Sequence, residues 1–345
     1  MEHTTRLSLD AARSLAEAAL TANRTSEANA AATARALIAA ARDGQKGHGF
    51  SRIPSYAAQA SSGKVNGYAE PTVERVSAAA LRIDGGLGFA YPAIDRAIAE
   101  LPALAAETGI AAAAIHRSHH FGQAGAHVER LAERGLVALI FGNSPKAIAF
   151  WGGRKPMMGT NPVAFAAPLM GSPPLVIDLA LSVAARGRIK AAEQTGEAIP
   201  EGWAMDAEGN PTTDPAAALA GSMVPVGGAK GAALVLMIEI LSAALTGSHF
   251  GFEATSFFDG AGDAPNVGQV LIAIDPDRVS AGAFAERLAV LVEAMQAEPG
   301  VRLPGTSRLE SRRRADAEGL VVPTMLYETI VALAETSERR RGSIG

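Results

Sequence analysis

The stretch GIAAAAIHRSHHFGQAGAHVERLAERG, Gly109 to Gly135, holds four of the chain's seven histidines: His116, His119, His120 and His127. Ahead of them runs a short apolar strand. Behind them, QAGAHVERLAERG has apolar residues at helical spacing and ends at Gly135. His116 and His120 stand at i, i+4, which on a helix would aim both rings one way. The strand before them and Gly122 and Gly125 behind them break any helix there, and no HExxH is present. Zinc would need a third ligand and a second shell. The segment therefore reads as a strand-to-helix turn, whose small residues leave backbone N–H groups at the next helix N-terminus free to meet a phosphate. A structural histidine cluster is the plainer alternative. A zinc-dependent hydrolase using HRSHH is the remote one.

Working outward, Leu9 to Ala22 and Ser26 to Arg42 read as helices, each started by a serine able to cap free N–H groups. DGQKGHG then breaks the pattern with three glycines. SRIPSYAAQASSG reads as a further helix with Pro54 near its start. Past Pro71 the texture changes. TVERVSAAALRIDGG reads as strand and turn, Pro92 to Thr108 as helix, and LVALIFGNS, PVAFAAP, PLVIDLA and GQVLIAIDP as strands. Glu193 to Val226, rich in Pro, Gly and Asp, is expected to be a long surface excursion. Leu234 to Leu245 is apolar enough for a buried core helix, and Ala281 to Ala297 reads as a helix with Glu on its outer face. This mixture supports α/β or α+β without fixing strand order.

Composition limits the possible functions. The chain has 345 residues, 48% hydrophobic and 19% charged, which is globular and long enough for two domains. A net charge of −4 gives no pull toward nucleic acid or anionic membrane. With no cysteine, disulfides, thiolate metal sites and Cys nucleophiles are excluded. MEHTTRLSLDAARSLAEAAL is amphipathic where a leader would be uniformly apolar. GAALVLMIEILSAALTG is the nearest approach to a membrane span, but Glu239 interrupts it. A soluble cytoplasmic protein is expected.

Several other stretches carry chemistry. DGGLGFAY misses the third glycine of a dinucleotide fingerprint and reads as a glycine turn. GxSxG is absent, leaving no nucleophile elbow. GGAKG, Gly227 to Gly231, brackets Lys230 with glycines ahead of an apolar helix, in the manner of an anion cradle. RLPGTSR sets Arg302 and Arg308 around a Pro-Gly turn. GHGFSR offers His48, which exchanges protons near neutral pH, and Arg52, whose planar fork grips a carboxylate. WGGRKPMMGTNPVAFAAP reads as a binding loop.

In this order, HGFSR, SHHFG, NSPKAIAFWGGRKPMMGTNPVAFAAP, VIDLALSVAARG, GGAKGAALVLMIEIL and LPGTSR resemble the malate/L-lactate dehydrogenase family of the non-Rossmann type. That family includes ureidoglycolate and sulfolactate dehydrogenases and the 1-piperideine- and 1-pyrroline-2-carboxylate reductases. The resemblance runs from about Leu9 to Ala317. It implies a nicotinamide-binding fold around a mostly antiparallel sheet, NAD or NADP as cofactor, and a homodimer. A cofactor domain over 121–296 and a substrate and dimerisation part from 1–120 with 297–345 are expected.

The resemblance also assigns residues. The turn His120, Phe121, Gly122, Gln123 and Ala124 matches a cofactor-contacting segment without metal. Asp178, Leu179 and Ala180, then Lys230, then Arg302, Leu303, Pro304, Gly305, Thr306, Ser307 and Arg308 match further cofactor contacts. His48 matches the proton donor; Arg52, Thr160, Arg186 and Gly187 match substrate positions. Gly47 departs from the pattern, standing where most relatives carry a serine that assists the histidine. The Thr-Ser of LPGTSR departs from the commoner acidic-basic pair. The implied reaction is hydride transfer to or from C2 of a small 2-oxo or 2-hydroxy carboxylate, or reduction of a cyclic 2-imino acid.

Overall fold

The structure is a computed structural model describing residues 3–342, the side chains of 336–342 excepted. Its first helix, Leu9–Ala22, starts where Ser8 Oγ accepts the Ala11 N–H at 3.1 Å. The next, Glu27–Arg42, is capped in the same way by Ser26. Both bury mainly alanine, with Leu20, Leu37 and Ile38 adding the larger surfaces, so neighbouring helices approach closely. Ile53–Ser62 follows with Pro54 in its first turn, where a missing N–H is harmless. The chain's end returns to this layer. Leu320–Pro323 pairs antiparallel with Thr4–Leu7, and the helix Thr324–Gly342 lies on Leu9–Ala22. One apolar core, including Leu20, Leu37, Ile53, Tyr56 and Ile330, joins both termini.

The central layer is a seven-stranded sheet. From one edge, its strands are Thr72–Ser77, Ala80–Asp84, Ile110–Ser118, Val267–Ile274, Val137–Gly142, Val163–Leu169 and Ser172–Leu179. Every neighbouring pair is antiparallel except Ala80–Asp84 with Ile110–Ser118. The helix Ala90–Thr108 joins those two parallel strands, as a crossover must. This is not a doubly wound parallel sheet; it matches the mostly antiparallel arrangement expected. Strands from both sides of position 120 share the sheet.

Two sequence expectations are corrected. Residues 193–226 lie largely at the surface, as expected, but they are not without regular structure. Ala204–Met205, Pro211–Thr212 and Ser222–Met223 join Ile148–Ala149 and Pro156–Met158 in a small second sheet. Buried Ile199, Ala204, Ala218 and Met223 sit in its own core. The turn-forming residues set hairpin corners, and the few apolar residues between them suffice for burial. Likewise Leu234 to Leu245 is not enclosed. It is the helix Ala229–Glu239 followed by a π-turn over Ile240–Ala244, and Leu234, Met237, Ile240 and Leu245 stay 44–63% exposed. Apolar content shows that a face seeks cover without showing whether this chain provides it. The helix Phe284–Ala297 also buries none of its residues. No helix among the described residues is long and apolar enough to cross a membrane.

Candidate active site

A cavity of about 500 Å³ opens between the terminal helical layer and the sheet. His48 closes a short turn, Lys46–His48, just after the second helix. Arg52 ends the next turn, Phe50–Arg52, where it runs into Ile53–Ser62. The turn His120 to Gln123 comes from the end of the Ile110–Ser118 strand. Thr160 arrives from the loop before Val163–Leu169, Asp178 from the edge strand and Ala180 from just beyond its end, and Arg186 and Gly187 from the start of the helix Arg186–Thr195. Thus residues far apart in sequence meet at one opening.

Arg52 is aimed but not used. Its Nε donates to Gly47 O at 2.6 Å, and its guanidinium lies 4.4 Å from the Phe258 ring centre. Its NH1 is buried with no partner. A buried cationic donor without an acceptor is costly, so the site is built for an anion to complete it. His48 stacks on His120 at 5.3 Å with an interplanar angle of 16°, and its buried Nδ1 likewise lacks a partner. Thr160 N–H donates to Ser144 Oγ at 3.1 Å, which fixes its loop.

The histidines divide by role. His119 Nε2 bonds Gln59 Oε1 at 2.9 Å, and His127 Nε2 takes the Phe121 carbonyl at 2.7 Å. His120 Nδ1 bonds Tyr56 Oη at 2.6 Å, and Tyr56 reaches Tyr91 Oη at 3.1 Å. His116 lies within the strand, so the i, i+4 helical relation to His120 does not arise. Among the described residues, no group of three or more His, Asp or Glu could hold a metal ion. Gly122 adopts φ +67°, and a Cβ there would lie 2.7 Å from Tyr91 Oη, so only glycine lets this turn pass the tyrosine.

Burial sets the protonation states. Desolvation, reinforced by the Arg52 charge, pushes His48 down to about 4. Desolvation brings His119 to about 3 and His127 to about 4, and holds His120 well below its ordinary value. Folded histidines of this kind refuse protons that the unfolded chain accepts below about pH 6.5. Stability is therefore complete above that pH and drains as pH falls toward 4, by about 1.4 kcal/mol per pH unit for each such histidine. A melting series from pH 7.5 to 4.5 is expected to show a steep fall in Tm below 6.5; a flat series would contradict this burial.

Of the remaining assignments, Asp178 lines the cavity, whereas Ala124, Leu179, Lys230 and residues 302–308 do not. Asp178 Oδ2 accepts the Gly125 N–H at 2.8 Å at the start of the helix Ala124–Ala132, which ties that helix to the edge strand; Ala124 is buried and Leu179 exposed beside this bond. Burial raises the Asp178 carboxyl above its ordinary range, opposed by that N–H. Lys230 is exposed on the first turn of Ala229–Glu239, away from the cavity lining. Arg302 is exposed. Leu303, Pro304 and Gly305 lead into the helix Thr306–Glu318, with Thr306 Oγ1 on Leu303 O at 2.7 Å and Ser307 exposed. Arg308 is buried against Glu129 at 2.7 Å and Asp43 at 3.3 Å, and Arg312 bridges the same two acids. Arg308 Nε and NH2 nevertheless lack partners.

Sequence reasoning missed several groups here. Tyr56 stands at i+4 from Arg52 on one helical run, the one signal that could have exposed it. Asn143 and Ser144, at the end of a stretch read only as a strand, and Lys146 just beyond it also line the cavity. Glu239, read as an interruption of an apolar run, is 3% exposed. It accepts from Asn161 Nδ2 at 2.6 Å, Gly251 N at 2.5 Å and Asn143 Nδ2 at 3.3 Å, tying together three loops of the cavity wall.

Residues 7–331 match the model of the malate/L-lactate dehydrogenase family. The chain belongs to that family. This malate/L-lactate dehydrogenase family member is 53% identical over 328 residues to a (2R)-3-sulfolactate dehydrogenase (NADP(+)) of Chromohalobacter salexigens, covering 95% of this chain and 98% of the relative. It is 44% identical over 315 residues to a Delta(1)-pyrroline-2-carboxylate/Delta(1)-piperideine-2-carboxylate reductase of Pseudomonas putida, covering 90% and 91%. Its fold superposes with TM-score 0.90 on the delta1-piperideine-2-carboxylate reductase of Pseudomonas syringae pvar. tomato, at 40% identity over 95% and 99% of the two chains. The sulfolactate dehydrogenase of Methanocaldococcus jannaschii gives 0.89 at 28% identity over 97% and 98%. The family member is accordingly a nicotinamide-dependent oxidoreductase. The orphaned buried donors and acceptors fit that cofactor. Arg308 Nε and NH2 suit phosphate oxygens, and Gln123 Oε1, buried at the cavity edge without a partner, suits an amide N–H.

Proposed function

We propose that this protein transfers hydride between NADP(H) and C2 of a small 2-oxo or 2-hydroxy carboxylate. The observation that carries this reading is the unpartnered Arg52 NH1 buried beside the unpartnered His48 Nδ1 in one cavity. Arg52 holds the substrate carboxylate, helped by Thr160, Arg186 and Gly187, which line the same cavity, and this orients C2. The cofactor supplies the hydride chemistry when bound. Residues of the 120–124 turn, the 178–180 segment, Lys230 and 302–308 are read as its contacts. In reduction, C2 gains a hydride and its oxygen gains a proton from His48. In oxidation, His48, neutral in the free site, takes the hydroxyl proton. NADP is preferred to NAD on the name of the 53% identical relative.

A second reading, reduction of a cyclic 2-imino acid, is favoured by Gly47 and by the reductase relatives. An imine nitrogen arriving protonated needs less of His48, so loss of the helping serine matters less. A panel of pyruvate, oxaloacetate, 1-pyrroline-2-carboxylate and 1-piperideine-2-carboxylate, each with NADPH and NADH, separates the two. Oxidation of neither cofactor by any of the four would refute both.

The segment 121–296 is read as the cofactor part and the two terminal segments as the substrate and dimerisation part of a cytoplasmic protein. The exposed apolar rows of Ala229–Glu239 and Phe284–Ala297 support a second copy as their cover. Light scattering is expected to give twice the 35.3 kDa chain mass; a monomer at micromolar concentration would contradict this.

A further inference from the structure

A single hydrogen bond fixes one point of a guanidinium and leaves its plane open. The bond from Arg52 Nε to Gly47 O at 2.6 Å leaves the fork free to swing about that contact. The Phe258 ring settles the plane: the guanidinium carbon lies over its face, 4.4 Å from the ring centre. The negative face of an aromatic ring attracts the charge, and a guanidinium laid on it keeps its N–H edge clear for a carboxylate. NH1, the buried donor without a partner, belongs to that edge. Phe258 lines the cavity while staying 44% exposed, so burial of its own surface does not explain its place. Lys190, from the helix Arg186–Thr195, sets its Nζ 5.2 Å from the same ring centre, so the ring gathers cations from two elements.

The loop that carries this ring is a fixed platform. The neighbouring Phe257 is buried and packs on the His119 and His120 rings at 5.2 and 5.1 Å. Its carbonyl accepts from Gln59 Nε2 at 3.0 Å. Lys64, its side chain fully buried, donates through Nζ to the carbonyls of Ser256 at 2.7 Å, Asp259 at 3.1 Å and Ala261 at 2.7 Å. An ammonium has three N–H donors, and here all of them go into this loop. The Phe258 N–H donates to Ser256 Oγ at 3.0 Å. Gly260 passes so close to the helix Ile53–Ser62 that a Cβ would lie 2.9 Å from Ala58 O. Arg52 stands at the start of that helix and Lys64 just past its end, so cation and ring are set from one element.

We infer that Phe258 is a positioning residue of the reaction, holding the Arg52 guanidinium in the plane that meets the substrate carboxylate, on a loop that Lys64 pins in place. This rests on the hydride-transfer reading above and adds a residue to its anion site. A side chain that only fills space is replaced by leucine without loss. One that acts through its ring face is not, and its effect vanishes when Arg52 is removed.

The test measures kcat and KM in the full-length wild type, Phe258→Leu, Phe258→Tyr, Arg52→Ala and the double variant of Arg52→Ala with Phe258→Leu. It uses NADPH and whichever of the four acids named above the wild type turns over fastest. Melting curves and NADPH fluorescence titrations accompany each variant. Phe258→Leu is expected to raise KM about 3- to 30-fold, the range of one cation–π contact, with a smaller loss in kcat. Phe258→Tyr keeps the ring face and should stay within about twofold of the wild type. On top of Arg52→Ala, Phe258→Leu should change kcat/KM by less than about twofold, because the group it positions is gone. Wild-type KM in Phe258→Leu, or an equal loss in Phe258→Tyr, overturns the inference. A full loss on top of Arg52→Ala would show the ring meeting the substrate directly and overturns it as well, as does weaker NADPH binding that accounts for the change. Should Phe258→Leu fail to fold, Lys64→Met loosens the same platform. It is expected to raise KM in the wild-type background and not on top of Arg52→Ala, and equal effects in both would contradict the inference. These outcomes remove the inference alone, whereas no turnover of any of the four acids by the wild type sinks the hydride-transfer reading and the inference with it.

Discussion

His48→Ala is expected to lower kcat by about 10²- to 10⁴-fold on 2-oxo and 2-hydroxy acids, the range of a lost general acid or base. NADPH affinity should hardly change, because His48 meets the substrate end of the cavity. The pH profile sharpens the test. With His48 pushed down to about 4, the free site holds a neutral imidazole across the physiological range. Oxidation of a 2-hydroxy acid needs that neutral form. Its kcat/KM should therefore stay level as pH falls from 7.5 to 5.5 and drop only on approach to 4, wherever the fold survives. A halving near pH 6.5 would show an ordinary, solvated histidine. Reduction needs the protonated form, which the incoming carboxylate favours by partly cancelling the Arg52 charge. Wild-type turnover in His48→Ala on every substrate would remove the residue from the chemistry.

Arg52→Ala is expected to cut kcat/KM by about 30- to several-thousand-fold, corresponding to about 2–5 kcal/mol for truncating one side of a buried charge pair. Most of the loss should fall on KM, with a smaller loss in kcat as C2 loses its orientation. Arg52→Lys separates charge from geometry. A lysine keeps the positive charge but not the fork that bonds Gly47 O through Nε and leaves NH1 facing the cavity. Partial recovery with lysine supports anion binding, and an unchanged KM in Arg52→Ala contradicts it.

Much of the scaffold was readable because its signals are local. Ser8 and Ser26 cap helices where a serine precedes an apolar run, and Ile110–Ser118 is the strand that its short apolar run indicates. What escaped depends on contacts distant in the chain. The small sheet through 204–223 exists because Ser222–Met223 pairs with Ile148–Ala149, more than seventy residues earlier. The exposed face of Ala229–Glu239 looks like core in one dimension because hydropathy records the need for cover and not its source.

The site divides the same way. His48 and Arg52 are ordinary residue types taken singly, and it was the family resemblance that singled them out. Tyr56 on His120 and Glu239 on Asn143, Asn161 and Gly251 are pairings that only the folded chain creates. Gly47 is a departure the fold can accommodate either way: a Cβ there meets nothing within 4 Å. Space alone therefore does not account for the missing serine.

The most direct measurement is a crystal structure of the protein with NADP⁺ and oxamate, an unreactive mimic of pyruvate. The expected result is the oxamate carboxylate on the Arg52 guanidinium and its amide end about 3 Å from the His48 ring. Oxamate seated away from Arg52, or a His48 ring turned out of the shared cavity, would contradict the account.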